Sequence, residues 1–443
     1  MHTIDHRPSL RIPALAGVTI LAMGALAGCS AGSLGSSDSA DGTTITMLVD
    51  SDQGTQATAQ AVADRFHEAN PDITVKVEGK PSGSDGDNLL KTRLQTGTMA
   101  DVFTYGSGSL FQQIAPAANL TPLTGDAAIE NVDEAYLPQV SADDEVYGVP
   151  WGTAFAGGIM YNKTVFDELG LEIPLTWDDL TAAAETIKAA GITPVLQTYG
   201  ETWTAQVPVL ADFHNVSAVE PDWADRYTDN DAKYATDPVA MAGFEHLQEL
   251  HDRELVNADF ASAKVPDGLR MLAAGEAAMY PILSGVLPQL EQVAPDAGDE
   301  IGFFALPGAE ASDNGLTAWF PNGVYIPKST TGDKLEAAKK FLAFIASPDG
   351  CGVIAGTDQP TGPFMVDGCD LPDDVAQVTK DIQRFFDEGK QSPALEFLSP
   401  VKGPALEQLC VEVGSGITSA ADAAALYDQD VVKQAQQLGL EGW

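Results

Sequence analysis

Basic residues are scarce in this chain. Only 23 Lys and Arg stand against 64 Asp and Glu in 443 residues, a net charge of −41. A surface so short of cations is a poor partner for nucleic acid, whose phosphates are held by clustered lysines and arginines, and for anionic lipid. It suits an uncharged or cationic ligand met outside the cell. Cysteine is rare, with 4 residues and no Cys-x-x-Cys pair, and the 6 His are scattered. No metal site is expected from such a set. His67-Glu68 lacks a second His at the spacing of a zinc protease, and Asp50-Ser51-Asp52-Gln53-Gly54 starts like a calcium loop without the later carboxylates. There is no phosphate loop, no Gly-x-Gly-x-x-Gly and no internal repeat. The stretch nearest to a nucleophile elbow, Gly28-Cys29-Ser30-Ala31-Gly32, falls at a cleavage point. No catalytic residue and no cofactor is therefore assigned. What is present is ordinary globular material, 44% hydrophobic and 20% charged, long enough for two or three lobes.

Long apolar runs are confined to one place. Arg7 and Arg11 precede an uncharged, mostly apolar run from Ile12 to Gly28, short for a membrane span and sufficient for a signal peptide. It ends in Leu26-Ala27-Gly28-Cys29, which resembles the bacterial lipoprotein box, so residues 1–28 are expected to be cleaved and Cys29 acylated. More than one acyl chain on one residue anchors stably. Asp5, Arg7 and Arg11 are the only charged residues removed, so the acidity belongs to the exported body. Residues 29–42 form a Ser/Gly-rich tether with a reach of roughly 20 Å.

Cys351, Cys369 and Cys410 remain in an oxidising compartment. Cys410 sits at an apolar helical position and is expected to behave as a core hydrophobe. Cys351 and Cys369 flank a Gly/Pro-rich stretch, Gly352 to Gly368, that reads as a loop. A Cys351–Cys369 disulfide is the favoured bridge, with Cys369–Cys410 next; the first would close about 19 residues and contribute roughly 3 kcal/mol.

Strands and helices alternate. Thr44–Val49, Ile73–Glu78 and Asp101–Tyr105 read as strands, separated by helices over Gln56–Asn70 and Asn88–Gly97. This βαβαβ order predicts an α/β fold with a parallel sheet. Val146–Trp151 and Gly157–Asn162 are extended. Thr176 caps a helix that runs to Ala190, and Gly191 stops it. Further helices are expected over Pro238–Arg253, Gly268–Gly275, Asp333–Ser347, Val375–Asp387, Gly403–Val413 and Ala420–Leu438, with a late strand at Val324–Pro327.

Val149-Pro150-Trp151 through Tyr161-Asn162-Lys163, then Val165–Leu171 and Pro174-Leu175-Thr176-Trp177-Asp178-Asp179-Leu180, resembles the signature of family 1 extracellular solute-binding proteins. These are sugar-binding lipoproteins of ABC importers, maltose-binding-protein-like in architecture. Gly97–Phe103, Ala274–Tyr280, Ala338–Ile345 with Ser347-Pro348, and the tail around Ser392–Phe397 and Pro400–Pro404 agree. The resemblance implies a two-lobed periplasmic-binding-protein fold of type II with the ligand cleft between lobes. The lobes would comprise 43–148 plus 321–366 and 149–320 plus 367–443, crossing near Gly148–Trp151, Trp319–Asn322 and Met365–Gly368. It implies a monomer that takes a carbohydrate ligand to permease subunits of an ABC importer from the extracellular face of the cell membrane, touching that membrane through its lipid anchor alone. A receptor for a polyol or glycerophosphodiester, and an exported glycosidase, stay open as alternatives.

A sugar has an apolar C–H face and a rim of hydroxyls, so aromatic rings and short polar side chains are its expected partners. Trp151, Trp203 and Trp319 are the candidate stacking residues, with Trp177 assigned to packing, Trp223 to surface cover and Trp443 to the terminus. Asn322, Asp101, Tyr105, Tyr280, Ser284, Gln53, Glu396 and Phe397 complete the candidate ligand set.

Overall fold

The computed structural model describes residues 42–81, 83–440 and 442–443. The expected signal peptide, Cys29 and nearly all of the tether lie outside the described residues.

The strands, in chain order, are β1 (Thr43–Asp50), β2 (Ile73–Lys80), β3 (Val102–Tyr105), β4 (Ser141–Ala142), β5 (Glu145–Val146), β6 (Gly148–Trp151), β7 (Phe155–Asn162), β8 (Thr193–Val195), β9 (Ala277–Leu283), β10 (Ile301–Phe304), β11 (Leu316–Trp319), β12 (Asn322–Tyr325) and β13 (Gln391–Pro393). They build two main sheets. The first has the order β2-β1-β3-β12-β6, with β1, β2 and β3 parallel and β12 antiparallel to both β3 and β6. The second has the order β13-β11-β7-β9-β8, with β10 also paired to β7. β4 and β5 form a small hairpin.

Sequence pattern explains the placement. β3 is buried along its whole length, as a central strand covered on both faces must be. Helix Gln53–Ala69 begins where the Asp52 carboxylate accepts from Thr55 N, and it buries Val62 and Phe66 against the first sheet's core. Helix Trp177–Ala189 starts at Thr176, whose hydroxyl accepts from Asp179 N, and the chain turns at Gly191 with φ 81°. Helix Gly83–Thr96 starts earlier than its apolar pattern predicts.

One core gathers Ile45 to Ala154 and Phe320 to Val366. The remaining apolar clusters draw on Ala156 to Leu316 and Val378 to Ala435. The molecule is two-lobed. β6 joins the first sheet and β7 the second, so the chain passes between the sheets through Gly152–Ala154. Cys369 and Leu371 pack on the first core.

Cys351 and Cys369 are bridged, with Cα atoms 5.9 Å apart. Cys410 is a buried free thiol, pushed up by burial. The stretch after Cys351 is not all loop: helix Pro348–Thr357 occupies its first third, capped by Ser347 with Pro348 in the first turn. Trp223 is fully buried rather than a surface cover, stacked on Tyr227 at 4.9 Å. Trp443 packs edge-on against the same tyrosine. Trp177 packs as expected, stacked on His246 at 3.7 Å with its indole N–H donated to Glu249.

Candidate functional site

The register of the two sheets aligns their ends. Asp50, Lys80 and Tyr105 close β1, β2 and β3 at one edge, where Trp151 ends β6 opposite Asn322, the first residue of β12. In the second sheet, Phe155 begins β7, while Leu283, Trp319 and Pro393 end β9, β11 and β13 at a common edge. The crossings Gly152–Ala154 and Phe320–Pro321 join these two edges. A crevice at strand ends is where open α/β sheets take ligands.

A cavity of about 380 Å³ opens there, between Gly106–Gln113 of the first lobe, Phe155 and Trp319–Asn322 at the crossings, and Glu396–Lys402 of the second lobe. Phe155 and Trp319 stack at 5.8 Å with their planes 12° apart, and Phe320 meets Phe397 edge-on at 5.7 Å. The Trp319 indole N–H donates to Glu396 Oε1 at 2.8 Å, and Lys402 Nζ pairs with Glu396 Oε2 at 2.9 Å. Among the described lining residues, Glu396 and Lys402 are the only charged groups, and they cancel. Ser107 Oγ and Tyr136 Oη both donate to Pro321 O, which fixes the second crossing to the first lobe. Gly108 holds φ 63°, and a Cβ there would lie 2.5 Å from the Phe397 ring. Only glycine allows that approach.

Of the expected residues, Trp319, Asn322, Glu396 and Phe397 line this one cavity. Trp151, Tyr105 and Gln53 share its edge without lining it. Trp151 is half-buried against the first core. Tyr105 is buried, its hydroxyl without a partner among the described residues and pushed up to about 12 by burial and then by Asp87. Gln53 is exposed at the start of its helix.

Four expectations are corrected. Asp101 precedes β3 at the opposite edge of the sheet, level with Thr46. Its carboxylate accepts from Thr46 N and Oγ1 and pairs with Lys334 at 2.9 Å, so it clasps the fold. Tyr280 lies within β9, fully buried, its hydroxyl 2.6 Å from Thr198 Oγ1. Ser284 is fully buried, and its Oγ accepts from Ala156 N and donates to Thr361 O. Trp203 is wedged half-buried between two second-lobe clusters. Phe155, Phe320, Lys402 and Gln434 line the cavity and were missed. Phe320 beside Trp319 before Pro321, and Lys402 in the late motif, were signals that could have found two of them.

The description "bacterial extracellular solute-binding protein" fits residues 50–350. The chain is 30% identical over 299 residues to the multiple sugar-binding protein of Streptococcus mutans, spanning 66% of this chain and 68% of that one. It is 24% identical over 348 residues to the melibiose/raffinose/stachyose-binding protein MelE of Bacillus subtilis, spanning 76% and 78%. Among solved structures, the apo form of RafE from Streptococcus pneumoniae matches with a TM-score of 0.75 at 22% identity, over 90% of this chain and 99% of that one, and so shares its fold.

Proposed function

The chain belongs to the bacterial extracellular solute-binding proteins, and from that premise we propose that it is a receptor which captures an uncharged sugar or oligosaccharide between its lobes and delivers it to the permease subunits of an ABC importer. The observation that carries this reading is the charge-balanced, aromatic-walled cavity at the facing strand edges. Its size suits a small ligand. Phe155, Trp319, Phe320 and Phe397 offer apolar surface to sugar C–H groups, while Asn322, Ser107, Gln434 and the Glu396–Lys402 pair offer donors and acceptors to hydroxyls. Relatives whose names carry sugars point the same way.

Binding needs no bond making. Rotation about the crossings closes the lobes on the ligand, and the ligand drives closure only by as much as it prefers the closed form. A glycosidase would need two carboxylates flanking the scissile bond, and the described lining carries one. A glycerophosphodiester would need a free cation, and Lys402 is already paired. A monomer tethered outside the cell by acylated Cys29 completes the reading.

A thermal-shift screen of the purified chain against neutral sugars, polyols and glycerophosphodiesters tests it, with each incubation assayed for products. A ligand at about 100-fold its Kd adds ~2.7 kcal/mol and raises Tm by several degrees. A selective shift with the sugar recovered intact supports the receptor. Conversion of the sugar would sink it.

A further inference from the structure

The segment between the bridged cysteines crosses to the second lobe and back. Its base belongs to the first lobe: Cys351 and Ile354 are buried in the first core, as are Phe364, Met365 and Val366 on the return, and the disulfide closes the base. Its tip reaches the second lobe. Thr379 Oγ1 donates to Pro360 O at 2.8 Å, and Ser284 Oγ donates to Thr361 O at 2.8 Å; both hydroxyl residues are fully buried. The tip also grips the first crossing. Thr361 N donates to Thr153 Oγ1 at 3.2 Å, and Ala154 N donates to Pro363 O at 2.8 Å. Gly362 lies so close that a Cβ would stand 2.5 Å from Ala154 O.

Ser284 is the node of this strap. The same Oγ that holds Thr361 O accepts from Ala156 N at 3.0 Å. Ala156 follows Phe155, the cavity residue stacked on Trp319.

We propose that Ser284 is a positioning residue: through the disulfide-closed strap it pins the Phe155 end of β7 to the first lobe and so sets the resting angle from which the cleft closes. Ser284 itself touches no ligand. Its effect on binding rests on the receptor reading above, while its effect on lobe geometry does not.

The test compares the full chain with Ser284→Ala, Thr379→Val and the double variant Cys351→Ala/Cys369→Ala. Spin labels at Glu68→Cys and Glu254→Cys, both exposed and on opposite lobes, report the interlobe distance without sugar. Freeing either end of the strap should broaden or shift that distance distribution. Adding the cysteine changes to Ser284→Ala should then change it little further, because both act through one strap. With the sugar identified by the thermal screen, Kd should weaken roughly fivefold at unchanged stoichiometry. Distance distributions that match the parent in all three variants, even with lowered Tm, would overturn the proposal and leave Ser284 a packing residue. If the parent binds no sugar, the receptor reading fails, and the distance measurement still decides the strap.

Discussion

Glu396 answers to two partners at once. One oxygen holds the Trp319 indole and the other the Lys402 ammonium. Glu396→Gln would keep a carbonyl for one of them and leave Lys402 uncompensated at the cavity wall. Affinity for the neutral sugar is expected to fall about tenfold, while uronic-acid analogues gain, and calorimetric titration of both classes checks it. Asp212 is the other residue whose charge matters. Fully buried, it accepts from Asn215 Nδ2 at 2.8 Å, its second oxygen has no partner among the described residues, and burial pushes its carboxyl up to about 7. A folded-state value above the ordinary ~3.8 means the native state binds the proton more tightly. Its contribution is then fully present below about pH 4 and is lost as pH rises through 7. Asp212→Asn should therefore raise Tm at pH 8 clearly more than at pH 5. An equal shift at both would show that the carboxyl is not protonated in the fold.

The residue scale is also where the sequence was least legible. Trp319, Asn322, Glu396 and Phe397, which line one cavity, were singled out because an aromatic beside Pro-Asn-Gly and a late loop carry chemistry that a core does not need. Asp101, Tyr280 and Ser284 misled because a strand's neighbours are visible in a sequence, but which edge of the sheet they reach is not. Asp101 sits at the amino edge, and its partners Thr46 and Lys334 come from distant segments.

Elements were more legible, since caps and periodicity are local. Thr176 and Gly191 marked helix ends correctly. Pro348–Thr357 was hidden by Gly350, Gly352 and Gly356, which weigh against a helix, although Ser347-Pro348 carried its start signal. The turn Gly106–Gly108 is the element on which the cavity's first-lobe wall depends. Gly108→Ala would strain a backbone at φ 63° and ψ −132° by about 1–3 kcal/mol and drive a methyl into Phe397. Phe397 and the Glu396–Lys402 pair beside it should shift. The expected outcome is a lower Tm together with at least tenfold weaker sugar binding, and normal affinity would show that the Phe397 position is not needed.

At the scale of the whole molecule, the scarcity of cations made nucleic acid a poor partner. The alternation of strands and helices then foretold the parallel part of the first sheet. What composition could not show is how the lobes exchange segments, because the pairing partners of β12 lie more than a hundred residues upstream. The net charge of −41 has its own consequence. Self-repulsion of an acidic surface weakens as the Debye length shrinks from about 30 Å at 0.01 M to about 8 Å at 0.15 M salt. Tm in sodium chloride should rise over that interval, and a flat response would mean that the carboxylates are compensated locally.

The first sheet has a gap in its middle until late in the chain. β3 and β6 do not pair with each other; β12 lies between them. A nascent chain ending at Trp319 would therefore hold two open strand edges facing an empty slot. The first sheet cannot be completed until β12, a strand that follows the whole central part of the second lobe, has been made. Such long-range pairing folds slowly and exposes edges to aggregation.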